Sequence, residues 1–189
     1  NQLKKIIIKT KPSNLNSFII NKVENGKLTS NLEFYFNDNQ EINNFIVKGE
    51  VVEMDAIINK NLNLINTSFN FFADSSDILV KSIAGKTDGF EIKNGNIKID
   101  KNEGTNLELE LNTEILINKD NVNKYLPFSK NIKLINNSTN FSANLDHFLK
   151  ISFDKTYKVN DFTYTNKGLV EELFLKFEKP VKNSYIEKN

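Results

Sequence analysis

Apolar residues recur at every second position along much of this chain. That period predicts β-strands with one apolar face and one wet face. The stretch from 69 to 99 sets the pattern. Phe69 and Phe71 share a face, followed by Ile78 with Val80, Phe90 with Ile92, and Ile97 with Ile99. Asp74-Ser75-Ser76-Asp77, Gly85, Asp88-Gly89 and Asn94-Gly95 punctuate it. They read as turns, because glycine and asparagine accept the positive φ that tight turns require.

The same reading extends both ways. Residues 3–9, with Ile6-Ile7-Ile8, and residues 18–23 are expected to be short strands, the second closed by an Asn25-Gly26 turn. Leu28, Leu32, Phe34 and Phe36 lie on one face of the next strand, with Thr29, Glu33 and Tyr35 on the other, and Asn37-Asp38-Asn39 ends it. Between Phe45 and Ile58 the phase slips by one residue at Val51-Val52, which predicts a bulge or sharp bend near Gly49 to Val52. A similar slip separates Leu62 and Leu64 from Phe69 and Phe71.

Thr105 to Ile117 is the cleanest strand, with Leu107, Leu109, Leu111, Ile115 and Ile117 opposite Glu108, Glu110, Asn112 and Glu114. About 11 residues span roughly 36 Å at ~3.3 Å each, longer than a typical strand. Asp120 or Asn121 is placed to cap one short helix near 120–127, carrying Val122, Tyr125 and Leu126 and stopped by Pro127. Phe141 to Phe153 alternates at its odd positions and reads as strand, although Leu145, Phe148 and Leu149 would also suit a helical turn. Residues 155–165 and 169–177 read as further strands, with Leu173, Leu175 and Phe177 on one face. The expectation is an all-β, mainly antiparallel module over residues 1–189, with roughly ten to twelve strands.

Composition narrows the function. The 189 residues carry a net charge of +1, and every basic residue is lysine. A nucleic-acid binder would show a basic excess and arginine forks, so no nucleic-acid partner is expected. About one residue in six is asparagine, a compositional bias that carries no function. There is no cysteine, which removes disulfides, thiolate metal sites and cysteine nucleophiles. No apolar run approaches the roughly 20 residues that span a bilayer.

Candidate chemistry is sparse. His147, the only histidine, falls in phase with the apolar positions of its strand and reads as a partly buried structural residue. A zinc site wants several ligands, so no metal or other cofactor is expected. Glu108 and Glu110 read as a solvated strand face rather than an acid/base pair, and Asp74 to Asp77 as a turn rather than a calcium loop. No nucleophile elbow, phosphate loop or dinucleotide fingerprint occurs. The chain is expected to be non-enzymatic, with no catalytic residues. What remains is the Phe/Ile/Leu stripe, which is either the core of a β-sandwich or barrel, or a groove for acyl chains. Alternation alone leaves both open.

The stretch F-x-F, an acidic/Ser turn, I-L-V-K-x-I-x-G, an apolar strand and N-G-x-I-x-I resembles the AsmA-like family of bacterial envelope lipid-transport proteins (the YhdP and TamB type). The matching positions are Phe69, Phe71, Asp77, Ile78, Val80, Ile83, Gly85, Ile92, Gly95, Ile97 and Ile99. The resemblance covers residues 25–178 and implies a long, twisted, curved sheet forming an open apolar groove, taco-like and built of stacked repeats. It implies attachment to the inner membrane through other segments, residence in the periplasm, and a part in carrying phospholipid towards the outer membrane. The chain begins with Asn1 rather than Met and is expected to be one slice of a longer protein. The residues expected to line the groove are Leu32, Phe34, Phe36, Phe69, Phe71, Leu107, Leu109 and Leu111. The expected partners are phospholipid acyl chains and neighbouring repeats of the same chain. The alternative is an envelope or extracellular β-sandwich or solenoid acting as a structural or adhesion module.

Overall fold

The computed structural model describes residues 14–59, 62–87, 89–102, 104–118, 140–154, 156, 158–174 and 176. Within them the chain is all-β, with eight strands in one open antiparallel sheet and one short helix. Helix α1 (Asn14–Lys22) runs directly into β1 (Val23–Phe36). Then come β2 (Ile42–Asn59), β3 (Leu62–Ala73), β4 (Asp77–Lys86), β5 (Phe90–Asp100), β6 (Thr105–Ile117), β7 (Asn140–Phe153) and β8 (Val159–Phe174). Spatial order equals chain order, so each strand pairs antiparallel with the next. The strand expected over residues 3–9, the helix expected near 120–127, and Leu175 and Phe177 lie outside the described residues.

Three expectations change. Residues 18–23 are not a strand, since all but Val23 belong to α1. The β-branched Ile19-Ile20 pair favours a strand locally, but Leu15, Phe18, Ile19 and Lys22 recur at helical spacing. The Asn21 amide donates to the Ser17 hydroxyl one turn back at 3.2 Å, and Lys22 sits in the last turn, where the helix dipole favours a cation.

Second, Asn25-Gly26, Gly85 and Asn94-Gly95 are not hairpin turns but lie inside β1, β4 and β5. Gly26 takes φ +138° at a register shift and bends β1 without ending it. Gly85 and Gly95 answer a different need, since a Cβ on the first would strike the Thr67 hydroxyl and on the second the Leu111 side chain. They are glycine because neighbouring strands crowd them.

Third, the two strands expected over 155–165 and 169–177 are one continuous strand, β8, running through Gly168. These mergers leave eight strands among the described residues. The hairpins at Asn37 to Glu41 and Asp74 to Asp77 stand as read. Asp74 Oδ1 accepts from the Ser76 amide at 2.8 Å, the Ser76 hydroxyl at 2.9 Å and the Asp77 amide at 2.8 Å, which closes the turn.

The phase slips are β-bulges. Against β3, β2 spends three residues from Val51 to Met54 while β3 spends two from Phe69 to Thr67. Glu53, at φ +54°, is the extra residue, one position beyond the expected span. Val52 therefore falls on the polar face, opposite Lys27, rather than with Met54 and Ala56. Asn66 at φ +49° and Ser82 at φ +56° accompany shifts in β3 and β4, and β5 slips between Ile92 and Asn94. The irregularities thus step from strand to strand across β2 to β5. Each adds a local bend and twist, and an aligned series curves a sheet. By contrast, β6 and β7 pair from Thr105↔Phe153 to Ile117↔Phe141 without a shift.

Candidate functional site: the apolar face

Residues directly opposite in antiparallel strands share a face, so the register sorts the side chains. From Leu109 the pairs run to Ile97 on β5 and Leu149 on β7, then to Val80 on β4 and Tyr164 on β8. Val80 leads to Phe71 on β3, and from there the face passes through Gly49 and Val47 of β2 to Ser30 and Leu32 of β1. All eight expected groove residues lie on this one face: Leu32, Phe34, Phe36, Phe69, Phe71, Leu107, Leu109 and Leu111. Among the described pairs on it, none contains aspartate, glutamate or lysine.

The opposite face collects the charge. Lys27–Glu53, Lys48–Glu33, Lys93–Glu91, Lys93–Glu114 and Lys150–Glu108 all pair there, at 2.6 to 3.3 Å. Hydrogen bonding and attraction from Lys150 hold the Glu108 carboxyl below its usual range. These pairs are exposed, so they contribute little stability and serve chiefly to keep that face wet.

Shelter on the apolar face is graded. The buried residues Ala56, Thr67, Ile83, Ile92, Thr113, Ile117 and Ala143 all belong to it, Ala143 fully so at 0 % exposure. The outer strands are open: Leu32, Phe34 and Phe36 on β1, and Phe162, Tyr164, Val170 and Leu173 on β8, are all exposed, Phe36 at 63 %. The eight expected residues therefore do not form one tight cluster. Leu107, Leu109, Leu111, Phe69 and Phe71 lie along its part-sheltered middle, while Leu32, Phe34 and Phe36 stand on its rim.

Periodicity missed one polar group within this face. Thr113, His147, Tyr164 and Asn166, from β6, β7 and β8, join through hydrogen bonds. His147 Nε2 lies 2.8 Å from Thr113 Oγ1, and Nδ1 lies 2.9 Å from the Tyr164 hydroxyl and 3.1 Å from Asn166 Nδ2. Asn166 Nδ2 also donates to the Tyr164 oxygen at 3.2 Å, and the His147 and Tyr164 rings stack with centroids 6.2 Å apart. Burial holds the His147 imidazole below its ordinary value, partly opposed by the Asp146 carboxylate. The signal was present, because Thr113 and His147 are polar residues at apolar-phase positions, but their partners on β8 could be assigned only from the register.

Among the described residues no group of three or more His, Cys, Asp or Glu side chains is placed to hold a metal ion. No helix among them is long and apolar enough to cross a membrane. Compared with known proteins, the chain matches no family model, no curated protein and no solved structure.

Proposed function

We propose that this chain is a non-enzymatic lipid-binding and lipid-transport segment whose apolar face carries phospholipid acyl chains. One observation carries the reading: a face free of aspartate, glutamate and lysine among the described pairs spans eight strands of an open sheet, apolar except for the Thr113, His147, Tyr164 and Asn166 group, with large apolar side chains exposed at both outer strands. Acyl chains lie along Leu107, Leu109, Leu111, Phe69 and Phe71, and reach the rim at Leu32, Phe34 and Phe36. Head groups stay in water. Each buried methylene contributes about 0.8 kcal/mol, so area alone holds a tail and no chemical step is needed. A surface of nearly constant affinity lets the lipid slide.

The setting that fits is the periplasm of a bacterial envelope, between inner and outer membranes. Inner-membrane attachment comes through other segments, and neighbouring repeats of the same chain continue the sheet. The AsmA-like resemblance of residues 25–178 supports this setting.

The test is native mass spectrometry of the chain expressed in a bacterial envelope, paired with photo-crosslinkers at Leu109 and Glu108. Co-purified phospholipid that crosslinks at Leu109 far more than at Glu108, and is lost in a folded Leu109→Asp variant, supports the reading. Equal adducts at both positions, or a clean lipid-free mass, would sink it in favour of a structural or adhesion module.

A further inference from the structure

Two charges of opposite sign on the polar face of β8, Asp161 and Lys167, make no ion pair among the described residues. They stand opposite Ser152 and Asp146 of β7. Asp161 Oδ1 accepts from the next backbone amide, that of Phe162, at 2.8 Å. The carboxylate also attracts the Lys150 ammonium, but that group lies on Glu108 at 2.9 Å. Asp146, which faces Lys167, accepts from the Asn112 amide at 2.8 Å.

The strand that carries them has a free side. Every residue of β8 is exposed, and among the described residues its only neighbour in the sheet is β7. Its outer backbone N–H and C=O groups therefore form a template for another strand. From Asp161 to Val170 the strand pairs with β7 without a register shift, so this part of the edge is regular. The other edge differs, because Lys27 and Glu33 of β1 are already held by Glu53 and Lys48 of β2.

Two copies of β8 can meet antiparallel about a twofold axis that passes between their Tyr164 residues. In that register Asp161 of each chain stands opposite Lys167 of the other, and Thr163 opposite Thr165. Twofold symmetry makes every such pair occur twice. Opposite charges and threonines directly across an antiparallel pair are both favourable. The least shift that keeps the faces matched is two residues. It sets Asp161 against Thr165 or Leu169 and loses both ion pairs.

We propose that β8 is a self-recognition edge through which two copies of this chain form a twofold dimer, Asp161 of each against Lys167 of the other. The two sheets become one, with their apolar faces on the same side and the ion pairs on the polar side. The contact uses β8 alone and leaves β1 to neighbouring repeats. It goes beyond the lipid reading and does not depend on it.

The chain has no cysteine, so one introduced thiol reports its distance from its own copy. Tyr164→Cys lies on the axis, where facing Cα atoms are about 4.5–5.5 Å apart and within disulfide reach. Lys167→Cys is also on the exposed edge, but its copy lies roughly 20 Å away along the strands at ~3.3 Å per residue. Under mild oxidation the full chain is expected to give a linked dimer from Tyr164→Cys and none from Lys167→Cys. Chains carrying Asp161→Cys and Lys167→Cys should link only when mixed, a pairing that keeps one Asp161–Lys167 contact and leaves Tyr164 in place. Head-to-tail pairing of β8 with β1 gives none of these links. A folded Tyr164→Cys chain that stays unlinked, a mixture that does not link, or Lys167→Cys linking alone as readily as Tyr164→Cys overturns the proposal. So does a wild-type chain that sediments as a monomer at every concentration, whether or not lipid co-purifies with it.

Discussion

At the scale of single residues, Thr67 is the sharpest anomaly. Its side chain is 1 % exposed and its hydroxyl oxygen has no hydrogen-bond partner. A buried polar atom left unpaired costs about 1–3 kcal/mol, and an apolar group of the same shape removes that cost. Thr67→Val is therefore expected to raise the urea midpoint, by about 1 kcal/mol in unfolding free energy. His147 gives a prediction in pH. Burial depresses its folded-state pKa, so the folded chain resists a proton that the unfolded chain accepts. Stability is full above the ordinary histidine value of about 6.5 and falls as pH drops through it towards the lower folded value. Thermal melts should show that slope between about pH 7 and pH 5, and His147→Gln should flatten it. The phase of the sequence placed His147 on the apolar face. It could not show that Tyr164 and Asn166, 17 and 19 residues away, complete its bonding.

At the scale of strands, alternation was legible in the sequence and crowding was hidden. The common face of Leu28, Leu32, Phe34 and Phe36 follows from a period of two, and it stands in the register. The slips at Val51-Val52 and between Leu64 and Phe69 were legible for the same reason, because a bulge must shift phase. Glycine was not legible, since one residue type serves both turns and close contacts. Gly49 is of the second kind: a Cβ there would run into the Thr29 carbonyl oxygen and lie 2.9 Å from the Ser30 Cα, both backbone. Gly95 instead meets the end of the Leu111 side chain, which can rotate away, and Ile83 Cβ at 3.3 Å. Gly49→Ala should cost about 1–3 kcal/mol, as overpacking does, and Gly95→Ala distinctly less. Chemical denaturation of the two variants orders them, and equal midpoints would show that β1 and β2 separate more easily than this register implies.

At the scale of the whole molecule, the sheet formed by the described residues ends in unpaired edges at β1 and β8, and the proposal of a sheet continued by neighbouring repeats can be tested on them. The first and eighth strands of an antiparallel meander run in opposite directions, so β8 of one copy can pair antiparallel with β1 of the next and keep the apolar face continuous. Both strands are long, at 14 and 16 residues, and proline-free, and both expose large apolar residues. Natural edges avoid this combination unless something covers them. If neighbouring repeats are that cover, the separated chain must satisfy its edges with copies of itself. Sedimentation should then show association that grows with concentration. Lysine on the edge strand opposes it, so Phe162→Lys with Val170→Lys, both clear of the His147 network, should shift the chain towards monomer while leaving its fold intact. A wild-type chain that stays monomeric at every concentration would mean that its own edges need no partner. The idea of a sheet continued by neighbouring repeats would then fall, even where the apolar face still binds lipid.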